Sequence, residues 1–352
     1  MTTLDDLKQI KKIDKEGMAD FILDLPNQCF RVLSDIKNLK IPSDLRKIEN
    51  IVLVGMGGSA IGGDLAKSLV ADQLKIPFLV IRDWRLPCFV NQKTLVIINS
   101  YSGQTAETLE CFKEAIKRKA KILAVSQGGK LEKLANQFKV PLFKYKYPAP
   151  PRAGFGYSFI SILGFLEKLG LIKLEEWSID ESLKVLQEFN QSLAPTKKTE
   201  KNVAKYLAYL VFDHCPIILA SSNLEVVARR WKTQINENGK TIAFWEALPE
   251  WFHNSIEGDL PWRLKDDFIF LILDDPFGTA ESKRGLKILE KFLEKEGWRF
   301  EIVPGLAGNQ FISYLSLIIL GDWLSFYLAI LNQIDPTPTE KIRWRKEEFE
   351  GS

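Results

Sequence analysis

Two short segments carry residue types that can hold an anion at the end of a strand. "IVLVGMGGSAIGGD", 51–64, runs from four apolar residues into a glycine cluster that contains Gly57, Gly58 and Ser59, and "SYSGQTAET", 100–108, sets Ser100, Ser102 and Thr105 around one glycine. Hydroxyls beside the unpaired amides of a helix N-terminus form an anion site, and glycine lets the backbone approach the bound group. Taken singly, each segment has a plainer reading. Gly55, Gly57 and Ala60 fit the dinucleotide fingerprint G-x-G-x-x-A, with Asp83 near the end of the next strand to meet a ribose. A tight strand-to-helix turn would need the same glycines. In the second segment, Ser and Thr are ordinary N-caps and Glu107 would complete a capping box. Three hydroxyls around one glycine are more than a cap needs, so the pair points to a compact monophosphate ester lying across neighbouring strand ends.

The elements that must position these loops alternate strictly. Buried-strand patterns at "NIVLVG", "PFLVIRDW", "TLVIINSYSG" and "AKILAVSQGG" are interleaved with amphipathic helices at "GGDLAKSLVADQL" and "QTAETLECFKEAIKRK". A helical lead-in over 4–48, broken near Pro26 and Pro42, precedes them. From 147 the Pro- and Gly-rich "YPAPPRAGFGYS" reads as a linker, and the apolar helix "FISILGFLEKLGLI" follows. The pattern then restarts with "PIILAS", "LEVVARRWKTQINE", "FIFLILDD", "AESKRGLKILEKFLEKEG" and "RFEIVPG". This predicts an α/β protein of two similar halves, each a parallel sheet flanked by helices, divided as 1–155 and 156–352. Only the first half keeps a glycine cradle, since "ASSNLEVVA" stands at the matching turn of the second. The apolar run 311–333 is interrupted by Gly321 and Asp322 and reads as a buried core or oligomer-interface helix rather than a membrane span.

Composition narrows the function classes. A net charge of +3 over 352 residues gives no broad field for nucleic acid. Four cysteines without a CxxC pair and two histidines suggest neither a disulfide framework nor a metal site. The opening "MTTLDDLKQIKKIDKE" mixes acids and bases with no apolar core, which predicts an unprocessed cytoplasmic protein without membrane attachment.

"GMGGSAIGGD" with "SYSGQTAET" resembles the paired signature of sugar isomerase (SIS) domains, whose flavodoxin-like fold holds a sugar phosphate on a serine- and threonine-rich loop. "PRAGFGYS", "NENGKTIAFWEALPEWFHNSIEG" and "DPTPTEKIRWRK" extend the likeness, from about 50 to 346, to one branch of that family: the bifunctional phosphoglucose/phosphomannose isomerases. The resemblance implies a phosphate on Ser59, Ser100, Ser102 and Thr105, with Gly57 and Gly58 beside the sugar. It implies Arg152 facing the reacting carbons, Glu237 as base, and His253 with Lys346 opening the sugar ring. Thr339, seven residues before Lys346, would carry the mannose activity; Thr337 and Lys341 are open alternatives to these two. No cofactor or metal is implied, and the family points to a homodimer whose histidine reaches the neighbouring subunit's site.

The implied chemistry fits these residue types. Moving a proton between C2 and C1 through a cis-enediol suits one carboxylate placed over both carbons. Charge developing on O1 and O2 suits a guanidinium, which stays charged. Ring opening moves a proton between the ring oxygen and the C1 hydroxyl, which suits an imidazole helped by an amine. Two other classes remain as alternatives. A non-catalytic SIS sugar-phosphate sensor would keep the phosphate loops without needing Glu237, His253 and Lys346. A nicotinamide-dependent dehydrogenase would leave "SYSGQTAET" without a purpose.

Overall fold

The computed structural model describes residues 4–259 and 261–351. They fall into two units: Asp24–Gln187 with Asn309–Phe311, here the first, and Met1–Leu23 with Glu188–Gly308 and Ile312–Ser352, here the second. Helices α1 (Leu7–Ile13) and α2 (Met18–Leu23) belong to the second unit. The first begins with α3 (Leu25–Ile36) and continues through β1 (Asn50–Val54), α4 (Gly57–Leu69), β2 (Phe78–Ile81), β3 (Thr94–Ser100) and α5 (Ala106–Lys117). It is completed by β4 (Lys121–Ser126), α6 (Gly129–Gln137), β5 (Leu142–Lys144) and α7 (Phe155–Lys168).

The first sheet is parallel throughout, in the order β2-β1-β3-β4-β5. Its central strands β1, β3 and β4 are apolar for most of their length because both faces are covered. Val52, Val54, Val96, Ile98, Ile122 and Ala124 alternate onto one face and pack with Cys111, Phe112 and Ala115 of α5 and Leu131 of α6. Leu53 points the other way, against Gly63 of α4. Helix α7, read from the sequence as the start of a second domain, packs on α3 and α4 and lies in the first unit. Glycines on the facing helices allow that close approach: a Cβ built on Gly62 of α4 would lie 3.1 Å from the Phe159 amide nitrogen of α7, and one on Gly164 of α7 would lie 2.9 Å from Ile36 Cδ1 of α3.

After α8 (Ile179–Ser192), the chain forms α9 (Val203–Val211), β6 (Cys215–Ser221), α10 (Glu225–Glu237), β7 (Phe244–Leu248) and β8 (Phe268–Asp274). Then come α11 (Ala280–Glu296), β9 (Phe300–Pro304), α12 (Gln310–Leu331) and α13 (Glu340–Gly351). The second sheet, β7-β6-β8-β9, is also parallel and repeats the first sheet's order without the fifth strand. The expected architecture of two doubly wound SIS-type sheets is therefore observed.

Helix α12 settles the reading of the apolar run at 311–333. Although long and apolar enough to cross a membrane, its most apolar window is 94% buried inside the chain. It is a core helix, and the expectation that it offers an oligomer interface is corrected: its side chains are already covered. Gly321 and Asp322 are contacts rather than interruptions. A Cβ on Gly321 would lie 2.4 Å from the Trp231 indole of α10, and Asp322 pairs with Arg230 on the same helix.

Candidate active site

In the first sheet the strand order reverses about β1 and β3, which pair directly through Val54 and Ile98. The carboxyl ends of such a pair form the usual ligand crevice of a doubly wound sheet. Both hydroxyl-bearing loops lie there. The loop after β1 turns into α4 at Gly57, which takes φ +49°, and Ser59 on the first turn is buried. The loop after β3 begins with Ser100, 1% exposed, whose Oγ lies 3.0 Å from Thr105 Oγ1 and accepts from the Gly103 amide at 3.1 Å. Thr105 occupies the N-cap position of α5 but makes no side-chain cap bond to that helix. Its hydroxyl turns to Ser100 instead, so the capping-box reading does not describe this turn. Ser102 is exposed, and its Oγ accepts from the Gln104 amide at 3.2 Å.

Tyr101 joins the two loops. Its amide donates to Ser59 Oγ at 3.2 Å, and its hydroxyl reaches the carbonyls of Tyr147 (2.7 Å) and Ala149 (2.6 Å). Burial pushes the phenol pKa up, which keeps the proton that those carbonyls accept. This anchors the segment that leads to Arg152, a buried residue in the 3-10 turn Pro151–Gly154. A Cβ on Gly58 would lie 3.4 Å from Arg152 Cα, and one on Gly154 would strike the Tyr101 ring at 2.4 Å. Gly57, Gly58, Ser59, Ser100, Ser102, Thr105 and Arg152 are thus gathered in one unit. Sequence reasoning missed Tyr101 and also Asn99, whose buried amide donates to the Ser59 carbonyl (2.9 Å) and Ser158 Oγ (2.7 Å). The available signal was a polar residue closing the apolar run "LVII".

The remaining residues belong to the second unit. Glu237 ends α10 and is half-buried. Three residues on, the Lys240 ammonium donates to the carbonyls of Glu237, Pro336 (3.2 Å) and Pro338 (2.5 Å), which brings the Thr337 segment to the end of α10. Thr337 is buried, with its amide bonded to Asp335 Oδ1 at 3.0 Å. Thr339 is half-buried and immediately precedes α13, where its carbonyl accepts from the Arg343 amide. The helix therefore starts one residue after Thr339, while Lys341 and Lys346 both lie exposed along it.

His253 closes the turn Glu250–His253. Trp251 in that turn is buried and His253 is exposed. This fold does not bring His253 to Glu237. Glu237 precedes β7 and His253 follows it, so they stand at opposite ends of a strand of five residues, on the order of 16 Å long.

Two parallel sheets of this order, with hydroxyl-rich loops at one crossover, define a sugar isomerase (SIS) fold. Tagatose-6-phosphate ketose/aldose isomerase from Escherichia coli has the same fold, with a TM-score of 0.68 at 16% identity over 92% of this chain and 95% of that one. Residues 200–349 match the family model described as the bacterial phospho-glucose isomerase C-terminal SIS domain. The bifunctional phosphoglucose/phosphomannose isomerase of Caldicellulosiruptor bescii is 38% identical, covering 92% of this chain and 96% of its own length. That of Aquifex aeolicus is 33% identical, covering 88% and 93%. The chain belongs to the bifunctional phosphoglucose/phosphomannose isomerase family, and it is an isomerase. The sensor and dehydrogenase alternatives are set aside by that membership.

Proposed function

We propose that the chain interconverts glucose 6-phosphate and mannose 6-phosphate with fructose 6-phosphate in the cytoplasm. The observation that carries this reading is the hydroxyl cluster of Ser59, Ser100 and Thr105 at the β1/β3 crossover, with Arg152 beside Gly58. In this reading the phosphate sits on Ser59, Ser100, Ser102 and Thr105 and on the first-turn amides of α4 and α5. Glu237 removes the C2 proton and returns it to C1, through a cis-enediol whose oxygens face the Arg152 guanidinium. Rotation about C2–C3 in that enediol would make both epimers substrates. His253 and Lys346 move the ring-opening proton, and Thr339 lies by the carbons where the epimers differ.

We infer that the active form is a homodimer in which His253 serves the partner's site. The opposite placement of Glu237 and His253 along β7 supports this, since one sheet cannot offer both to one sugar. A coupled assay of fructose 6-phosphate formation, started separately from glucose 6-phosphate and mannose 6-phosphate, tests the substrates. Glu237→Gln is expected to reduce kcat about a hundredfold or more while sugar phosphate still protects the protein against thermal unfolding. Turnover at the parent rate in that variant would remove Glu237 from the role of base.

A further inference from the structure

We propose that Lys240 is a positioning residue for isomerisation, holding Glu237 and the Thr337–Thr339 segment in fixed relation. The inference rests on the reading of Glu237 as the base. Lys240 follows Gly239 in "NENGK" and takes φ +56°, a left-handed turn at the end of α10. That turn folds its side chain back onto the helix it has just left. An ammonium has three donors, and main-chain carbonyls of Glu237, Pro336 and Pro338 receive bonds from it. Two of those carbonyls lie 96 and 98 residues further along the chain, on either side of Thr337.

An exposed lysine ordinarily keeps its charge in water, and fixing so flexible a side chain carries an entropic penalty. Here the charge meets the carboxyl end of a helix, where a cation is favoured. The surrounding bonds work in the same direction. Asn332 Nδ2 donates to the Gly239 carbonyl at 3.0 Å, and Asn236 Nδ2 donates to the Thr241 carbonyl at 2.7 Å. The turn carrying the base is thereby fastened to the end of α12 and to the strand of chain that leads into α13. Losing the ammonium would free Glu237 and the threonine segment to shift independently, while leaving the phosphate loops of the first unit untouched.

Lys240→Met is expected to lower kcat about tenfold to a hundredfold, the scale of an ångström of misplacement, with KM for glucose 6-phosphate within about twofold. Amide exchange over residues 335–340 should quicken in that variant, and Lys240→Arg, which keeps the charge, should recover part of kcat. An unchanged kcat in Lys240→Met overturns the proposal, as does a raised KM at the parent kcat. If Lys240→Met fails to fold by circular dichroism, Lys240→Gln decides: lowered kcat at native KM supports the role, and parent kcat overturns it. Glu237→Gln measured alongside separates the two readings. Activity in Glu237→Gln sinks the base assignment, whereas an inactive Glu237→Gln with a fully active Lys240→Met sinks the positioning role alone.

Discussion

At Ser100 and Thr105, two hydroxyls 3.0 Å apart stand at the carboxyl end of a buried strand, and Thr105 leaves α5 without a side-chain cap. A hydrogen bond to a charged group contributes about 1.5–3 kcal/mol, so Ser100→Ala should raise KM for either sugar phosphate about tenfold or more and change kcat less; unchanged steady-state kinetics would take the phosphate off this loop. A different kind of polar residue stands at the matching turn of the second sheet. Asp275 follows β8 and is 1% exposed. Burial raises its pKa, and bonds from the Phe277 amide (3.0 Å) and Ser313 Oγ (3.1 Å) offset this only in part. A carboxyl raised in the folded state contributes its stability in full below its unfolded pKa and loses it as pH rises through the folded value. Both of those bonds reach Oδ1, and Oδ2 has no partner among the described residues. Asp275→Asn keeps the acceptor and removes the charge, so its melting temperature should exceed the parent's at neutral pH and converge on it in acid. Melting curves across that range check this, and a lower value at neutral pH would refute it.

Between α10 and α12, Arg230 and Trp231 of the first helix meet Leu317, Gly321 and Asp322 of the second. Arg230 meets Asp322 through Nε–Oδ1 at 3.1 Å and Nη2–Oδ2 at 2.7 Å, both side chains buried, and Trp231 lies over Gly321 with its indole bonded to the Leu317 carbonyl at 2.7 Å. Breaking a buried pair from one side costs about 3–5 kcal/mol, so Asp322→Ala should lose that much in denaturant unfolding. Gly321→Ala drives a methyl into a rigid indole and should cost about 1–3 kcal/mol. The sequence shows Gly321 and Asp322 as a break in an apolar run, because their partners lie about ninety positions earlier. Strands β1, β3, β4, β6 and β8 were legible because burial on both faces writes a strand as an apolar run. By contrast, β5 has three residues, and β7 is a half-exposed edge whose "FWEAL" carries no such pattern. The site divides the same way. Hydroxyls clustered within one turn are local and were readable, while Tyr101 and Lys240 act through carbonyls 46 to 98 residues away and were not.

Across the whole molecule, two sheets of one topology have diverged in what their loops carry: the first keeps glycines and hydroxyls at its crossover, and the second has "ASSNLEVVA" and "DDPFGTAES" there. Within the second unit, β7 separates two of the proposed catalytic groups. Glu237 stands before this strand and His253 beyond it, so if both are needed for one sugar they come from different chains. Two inactive variants can test this. In the proposed homodimer, coexpressed Glu237→Gln and His253→Ala chains would form mixed dimers in which one site has both defects and the other has none. With random pairing, half the dimers are mixed and each holds one intact site, so activity should return to about one quarter of the parent rate. Each variant expressed alone should stay inactive. If the mixture is no more active than its components, Glu237 and His253 serve the same chain's site and the shared-site dimer is wrong; recovery near one quarter would establish that the functional unit is the pair.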